Sequence, residues 1–240
     1  MFKRIVSFLF IPLPSFIKIP LMRLFFGYKI GSGVKIGLSF FCPKKCNLGN
    51  NTRIGHFNFI SHMQHLNAGQ DVIIGHLNII LGGRLVDIGD GAHIVRSNEI
   101  NSILKPLALS ETNPELIIGP RTIITVGHKI DFTDKITFGE SVVFAGRFSN
   151  LWTHNRQQVG PISIGRNCYV GSGIQMVANT SVGEYCVVGL GAVITKKLTQ
   201  SYKIVAGIPA KEIKDLDEDS RVLVEYPTRP DLVPVTEKYQ

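Results

Sequence analysis

The chain has 240 residues, of which 44% are hydrophobic and 18% are charged, as expected for one large globular domain or two small ones. Its formal net charge of +8 is compatible with a nucleic-acid-binding protein, but the distribution of the charge disfavours that function. Residues 1–70 contain nine Lys and Arg and no Asp or Glu, whereas the remainder carries 17 basic and 18 acidic residues and is nearly neutral.

Residues 1–28 form a basic, Phe-rich segment that we interpret as an amphipathic helical region. Such a segment suits a surface that is both anionic and apolar, as the cytoplasmic face of a bilayer is. The alternative is a short amphipathic cap over the end of the core. A membrane-spanning helix is disfavoured, because prolines interrupt the segment and Lys18 and Arg23 would lie at bilayer depth.

The compartment follows from two further features. No small-residue cleavage site follows the apolar N-terminal run, which argues against a secretory signal. Four cysteines in 240 residues do not make a disulfide scaffold, which favours a reducing environment. We therefore expect a cytoplasmic protein, which could also make peripheral contact with the inner face of the membrane.

From residue 29 to residue 213 aliphatic residues recur every six positions, most regularly at Ile164, Val170, Met176, Val182, Val188 and Ile194. A sustained period of six is typical of hexapeptide repeats in parallel β-helices. Each hexad supplies a short strand with one inward aliphatic side chain, and three hexads close an 18-residue triangular coil. The pattern predicts about six or seven coils. It also predicts that Cys168 and Cys186, 18 residues apart, stack as buried thiols on one face.

The repeat slips in phase at three places, residues 62–70, 101–115 and 149–161. Because an insertion has to leave the prism, each slip predicts a projecting loop. Residues 214–240 leave the repeat altogether and read as a short helix and an extended tail that could cap the last coil. His62 and His65, in the first slip, are interpreted as surface residues.

These features resemble the hexapeptide-repeat acyltransferases of the sugar and polysaccharide O-acetyltransferase type. The resemblance covers about residues 30–213 and is strongest in "PISIGRNCYVGSGIQMVANTSVGEYCVVGLGAVITKKL…IVAGIPAKEI". It implies an all-β, left-handed parallel β-helix; the hand comes from the family, since most parallel crossovers are right-handed. Departures from the family pattern are Tyr169 in place of Trp, Ala192 in place of Ser and a short loop after His154.

The resemblance implies transfer of an acetyl group from acetyl-coenzyme A to a hydroxyl of a sugar in a cell-surface polysaccharide or its precursor. His154, in the segment "WTHN", matches the catalytic histidine and would act as general base. His128 and Asp131, in "GHKID", are candidates for a second pocket residue and for the carboxylate that orients an imidazole. His128 could equally be a corner residue of a coil. Residues beside the base are candidates for acceptor binding: Trp152, Asn155 and Arg156.

Coenzyme A would lie in a groove between adjacent prisms of a homotrimer, with small residues admitting the pantetheine arm. The candidates for that contact are Gly171, Gly173, Gly189, Gly191 and Ala192. Cationic and polar residues would receive the nucleotide phosphates: Thr195, Lys196, Lys197 and Lys211. A main-chain N–H at Gly146 or Gly171 is the candidate for stabilising the oxyanion.

Three alternatives stay open to different degrees. An amino-sugar nucleotide could be the acceptor, which would make the chain an N-acetyltransferase. A non-catalytic assembly subunit with a degenerate site is the second. A metal enzyme of the gamma-class carbonic anhydrase type is disfavoured, because it needs an H-x4-H pair and no two histidines here are five residues apart. We expect no metal site and no nucleic-acid partner.

Overall fold

The computed structural model describes residues 2–103 and 112–225. Within these residues the chain forms eight complete coils and two strands of a ninth, wound into a left-handed parallel β-helix with three sheets. This confirms the predicted fold, with more coils than the six or seven expected. The six aliphatic positions at the sixfold spacing are all buried, none more than 4% exposed. Cys186 lies directly above Cys168, with its N–H 3.4 Å from the Cys168 sulfur.

Sheet A is the first side of the prism. Its strands, in the order in which they stack, are β1 Lys29–Ile30, β4 Lys45–Leu48, β7 His65–Ala68, β10 Leu85–Ile88, β13 Glu115–Ile118, β16 Ile136–Phe138, β19 Ile162–Ile164, β22 Thr180–Val182 and β25 Lys197–Leu198.

Sheet B is the second side. It comprises β2 Lys35–Ile36, β5 Arg53–Ile54, β8 Ile73–His76, β11 His93–Arg96, β14 Ile123–Val126, β17 Val143–Phe144, β20 Tyr169–Val170, β23 Val187–Val188, β26 Lys203–Gly207 and β27 Ala210–Asp215. The last strand, β27, pairs antiparallel with β26 and ends the sheet.

Sheet C is the third side and carries the candidate site at its edges. It comprises β3 Phe40–Cys42, β6 Phe59–Ser61, β9 Ile79–Leu81, β12 Glu99–Asn101, β15 Lys129–Asp131, β18 Asn150–Trp152, β21 Gln175–Val177 and β24 Val193–Ile194. Each coil therefore runs from sheet A through sheet B to sheet C, and three columns of corners join the sheets.

The first predicted loop, at residues 62–70, is wrong. These residues form the C-to-A corner and strand β7, and Met63 is fully buried. The register pairs Leu48 with Ala68 and Ala68 with Ile88, so these coils contain 20 residues instead of 18. The extra residues lengthen strands such as β7 to four residues and do not leave the prism.

Of the other two predicted loops, the one at residues 101–115 is only partly described, and the one at residues 149–161 leaves the prism in part. Of residues 101–115, the segment 104–111 lies outside the described residues, and Glu115 already begins β13. Of residues 149–161, the first part forms β18, and only 153–161 project. This projection carries His154.

The N-terminal segment forms two helices, α1 Phe2–Leu9 and α2 Ser15–Phe26, with Pro20 inside α2 instead of ending it. Helix α2 lies over the first coil and buries Lys18, Ile19 and Met22. Three side chains donate hydrogen bonds to main-chain carbonyls of that coil: Ser15 to Ile36, Lys18 to Ile36 and Gly37, and Arg23 to Ile30 and Gly31. The helix therefore seals the open edge of the prism.

Burial lowers the pKa of the Lys18 ammonium to about 8. At the other end of the described chain, helix α3 Glu218–Glu225 follows β27. The predicted extended tail, from residue 226 onward, lies outside the described residues. No helix among the described residues is long and apolar enough to cross a membrane.

Candidate active site

The candidate catalytic residues lie at the corner where sheet C turns into sheet A. Asp131 is the last residue of β15, and Trp152 pairs with it from β18 in the next coil. The chain then projects from the corner, and residues 153–161 return to sheet A. His154 lies at the base of this projection, one coil above Asp131.

His154 and Asp131 form a hydrogen-bonded pair, with Nδ1 of the imidazole 3.1 Å from Oδ1 of the carboxylate. The carboxylate is nearly buried, with 5% of its side chain exposed, whereas 20% of the imidazole side chain is exposed. Because a carboxylate can only accept a hydrogen bond, Nδ1 carries the proton and Nε2 keeps its lone pair. The pair therefore orients an imidazole that can take a proton at Nε2.

Besides His154, two groups hold the Asp131 carboxylate in place. The main-chain N–H of Thr133 donates to Oδ1 at 3.0 Å, and the Thr153 hydroxyl lies 3.2 Å from the same oxygen. The Thr153 hydroxyl also donates to the main-chain carbonyl of Asp131 at 2.9 Å and accepts the N–H of Asp134. Thr153 thus ties the projecting segment to the coil below, directly next to the base.

The projection itself is a tight hairpin. His154 and Val159 form an antiparallel bridge, and the Asn155 N–H donates to the carbonyl of Gln158. The Asn155 side-chain oxygen accepts the N–H groups of Gln157 and Gln158. This side-chain oxygen therefore holds the turn, and the hairpin fixes the main chain on which His154 lies.

The position of His128 matches the second of the two roles that the sequence left open, a corner residue of a coil. His128 lies at the other edge of sheet C, at the B-to-C corner, and is 1% exposed. Its Nδ1 accepts the Ser149 N–H, and its Nε2 lies 3.0 Å from the Thr125 hydroxyl. Burial lowers the pKa of the imidazole to about 4, so it is neutral near pH 7. With both ring nitrogens engaged inside the wall, His128 is a corner residue, and Asp131 orients His154 instead.

The candidate coenzyme A glycines also lie along the B-to-C corner. An equivalent stacked position has a left-handed conformation in seven successive coils, with φ between 57° and 71°: Phe57, Leu77, Ser97, Gly127, Phe148, Gly173 and Gly191. Phe57 and Leu77 show that this corner accepts large side chains. A Cβ on Gly191 would meet no atom within 4 Å, and one on Gly173 would come no closer than 3.9 Å. The space around these two positions therefore does not demand glycine, and without a side chain they leave the corner open in the last two complete coils.

The other residues of that set are less accessible. Gly171 is packed against the next coil, and its N–H donates to the carbonyl of Val188 at 2.9 Å. That bond removes Gly171 as an oxyanion donor, whereas no hydrogen bond from the Gly146 N–H occurs within the described residues. Ala192 is 1% exposed and belongs to the core of the prism, so its side chain does not line an exposed groove surface in the single chain. A Cβ on Gly189 would lie 3.3 Å from the Cβ of Ala206.

The remaining candidates lie on exposed surface. Thr195, Lys196 and Lys197 lie at the same corner column as His154, two coils further along, and all are exposed. Lys211 lies in β27 opposite Ala206. Trp152 is exposed beside the base, with the Lys129 ammonium 5.9 Å from its ring centre. Arg156 is exposed in the hairpin turn.

Sequence reasoning missed the anchoring role of Thr133 and Thr153. The position of Thr153 immediately before the candidate base could have marked it. Its contact with Asp131, however, spans 22 residues and follows only from the register of β15 and β18. Among the described residues, no group of three or more His, Cys, Asp or Glu could hold a metal ion.

Neither a family model nor a curated protein matches the chain. Among solved structures, a UDP-N-acetylglucosamine acyltransferase from Campylobacter jejuni matches with a TM-score of 0.61 at 19% identity, covering 86% of this chain and 82% of its own. The polySia-specific acetyltransferase NeuO matches at 21% identity, TM-score 0.45, covering 78% of this chain and 79% of its own. The polysialic acid O-acetyltransferase OatWY matches at 15% identity, TM-score 0.48, covering 78% and 88%. The likeness to the Campylobacter protein shows that the two chains share a fold.

Proposed function

We propose that the chain is an acetyltransferase that moves an acetyl group from acetyl-coenzyme A to a hydroxyl of a sugar in a cell-surface polysaccharide or its precursor. The observation that carries the proposal is the His154–Asp131 pair, a partly exposed imidazole held by a buried carboxylate at the base of a tight hairpin. The Campylobacter protein with the same fold is named as an acyltransferase of a sugar nucleotide, which supports a sugar acceptor.

In the proposed reaction, Nε2 of His154 takes the proton of the acceptor hydroxyl while the acceptor oxygen attacks the thioester carbonyl carbon. The Asp131 carboxylate stabilises the imidazolium that forms, and the Gly146 N–H is the candidate donor to the oxyanion. Breakage of the C–S bond then releases coenzyme A as a thiolate. The thiolate takes the proton from the imidazolium, and this regenerates the neutral His154. No covalent enzyme intermediate is required.

The donor is proposed to lie along the B-to-C corner of one prism at Gly173 and Gly191. Its phosphates would lie near Lys211 of that prism and near Lys196 and Lys197 at the C-to-A corner of the adjacent prism. His154 lies at the opposite edge of sheet C, across a three-residue strand, or roughly 10 Å. A second prism placed against sheet C would bring its own corner to His154, so we propose a homotrimer with sites between subunits. Exposed apolar residues along sheet C and its corner favour such packing: Leu38, Phe57, Phe59, Leu77, Ile79 and Phe148.

The test is coenzyme A release with nucleotide sugars and glycan precursors as acceptors, for the wild type, His154→Ala and the control His65→Ala. His65 is a second half-buried histidine, on sheet A. We expect His154→Ala to lower turnover by about 10²–10⁴-fold while coenzyme A still binds, and the control to keep its activity. Normal turnover by His154→Ala would exclude the assignment. Acceptance of amino sugars alone would identify an N-acetyltransferase, and failure to bind coenzyme A would favour a non-catalytic subunit.

A further inference from the structure

The outer face of α2 is apolar and exposed at the closed end of the prism. While Lys18, Ile19 and Met22 face the first coil, Phe16 and Leu24 lie on the opposite side, 76% and 77% exposed. They are eight residues apart, about two helical turns, so they lie on one face of the helix. Ile17 and Pro20 are also exposed on this side, whereas Phe25 is exposed beside Phe10. A contiguous exposed apolar face of this kind marks an interaction surface.

Basic side chains surround this apolar end. Lys29 on β1, Lys35 on β2, Lys45 on β4 and Arg53 on β5 are all exposed. They lie on sheets A and B of the first two coils, within about 10 Å of the end at a coil spacing of about 4.8 Å. That distance is close to the Debye length of about 8 Å, so their charges act on whatever contacts the end. No carboxylate side chain occurs in residues 1–70 to offset them.

We propose that this end of the prism docks on an anionic lipid bilayer, with Phe16 and Leu24 in the interfacial layer and the basic residues facing the lipid phosphates. A bilayer offers both of the properties that the end requires, an apolar layer and a negative surface. A second copy docked end to end would instead bring two basic rims together, and their like charges would repel. Charge complementarity therefore selects the bilayer over self-association.

The same helix closes the prism, and this determines which variants can test the docking. Removal of residues 1–26 would expose the first coil, because Ser15, Lys18 and Arg23 bind its carbonyls. Substitutions on the outer face leave those three side chains in place. Phe16→Ser/Leu24→Ser removes apolar area, and Lys29→Gln/Lys35→Gln removes charge. Ile213→Ser/Leu223→Ser, which replaces two exposed apolar residues near the far end of the prism, is the matched control.

The experiment is cosedimentation of the full chain with vesicles of phosphatidylcholine alone or mixed with phosphatidylglycerol. We expect binding to the mixed vesicles that weakens about tenfold or more in Phe16→Ser/Leu24→Ser and in Lys29→Gln/Lys35→Gln, with the control unchanged. Circular dichroism of each variant should match the wild type.

Three results would overturn the proposal. The wild type could stay in solution with the mixed vesicles, or the Phe16→Ser/Leu24→Ser variant could bind as the wild type does. The third result is self-association of the wild type in analytical ultracentrifugation that Phe16→Ser/Leu24→Ser abolishes. That result would mean that the face binds a second copy of the chain. None of these results depends on acetyl transfer, so the docking can fail while the proposed function stands.

Discussion

At the scale of single residues, the direction of the His154 imidazole depends on one oxygen atom. Oδ1 of Asp131 accepts hydrogen bonds from Nδ1 of His154 at 3.1 Å and from the Thr133 N–H at 3.0 Å, and the Thr153 hydroxyl lies 3.2 Å from it. An amide oxygen could accept the same contacts, because they converge on one atom. What an amide cannot do is offset the positive charge that the imidazole acquires when it takes a proton. The substitution Asp131→Asn can therefore separate the contribution of the hydrogen-bond geometry from that of the negative charge.

We expect Asp131→Asn to lower kcat by about 10–10³-fold, with little change in KM for acetyl-coenzyme A. The fold should persist, since the asparagine oxygen can keep the Thr133 contact, and the thermal unfolding midpoint should stay close to that of the wild type. Steady-state kinetics check the split between kcat and KM, with Asp87→Asn on sheet A as the control. A rise in KM at unchanged kcat would mean that Asp131 acts in binding and not on the base.

At the scale of elements, the B-to-C corner contains a column of buried polar side chains: Ser39, Asn58, Asn78, Asn98, His128 and Ser149. Each coil passes a hydrogen bond to the next. The His128 N–H donates to Oδ1 of Asn98, the Asn98 N–H to Oδ1 of Asn78, and the Asn78 N–H to Oδ1 of Asn58. In the last two coils the position becomes apolar, with Ile174 and Ala192. His128 thus occupies a position that asparagine fills in three earlier coils.

This column predicts a pH effect. Because burial lowers the pKa of folded His128 to about 4, below the ordinary 6.5, the unfolded chain takes up a proton between these pH values that the folded chain does not. The free energy of unfolding should therefore fall as the pH falls from about 6.5 to about 4, by on the order of 2 kcal/mol from this group. His128→Asn should remove this pH-dependent loss of unfolding free energy, and its side-chain oxygen can still accept the hydrogen bond of the Ser149 N–H.

Urea unfolding of the wild type and His128→Asn across this pH range measures the effect. His128→Ala separates the charge from the hydrogen bond, because it also lacks the titrating ring but leaves the Ser149 N–H without its acceptor. This second variant should be less stable than His128→Asn at every pH. Parallel pH profiles for the wild type and His128→Asn would contradict the buried neutral imidazole.

The sequence predicted the elements best where the period is unbroken. Between Ile164 and Ile194 the predicted inward-facing residues are correct, because each hexad there carries one aliphatic or Met side chain at the repeating position. The prediction failed at residues 62–70, since a 20-residue coil shifts the phase by two and resembles an insertion. Only the register, in which Ala68 stacks between Leu48 and Ile88, shows that the added residues extend strands. The pairing of Asp131 with His154, and not with His128, likewise depends on register.

At the scale of the whole molecule, the two halves of the proposed site lie on opposite edges of one sheet. His154 and Asp131 lie at the C-to-A corner, whereas Gly173 and Gly191 lie at the B-to-C corner. Docking at α2 would place the first coil nearest to the bilayer. The His154 hairpin lies five coils further along the prism, roughly 24 Å from that end. An acceptor attached to the same bilayer would then have to extend about this far from it. The proposed function and the docking together favour a glycan over a sugar at the lipid headgroup.

The separation of the two corners gives a test of the shared site that needs no ligand-bound structure. Gly191→Trp fills the proposed donor groove, and the large residues Phe57 and Leu77 in the same conformation show that the corner can accept it. Alone, Gly191→Trp and His154→Ala should each be inactive.

In trimers coassembled from equal amounts of the two variants, a site is active when its histidine comes from the Gly191→Trp variant and its groove comes from the His154→Ala variant. Random assembly then restores about a quarter of wild-type activity, since each condition is met in half of the subunits. Coenzyme A release by the coexpressed mixture measures this recovery. If histidine and groove belonged to the same subunit, every site would carry one lesion and the mixture would stay inactive.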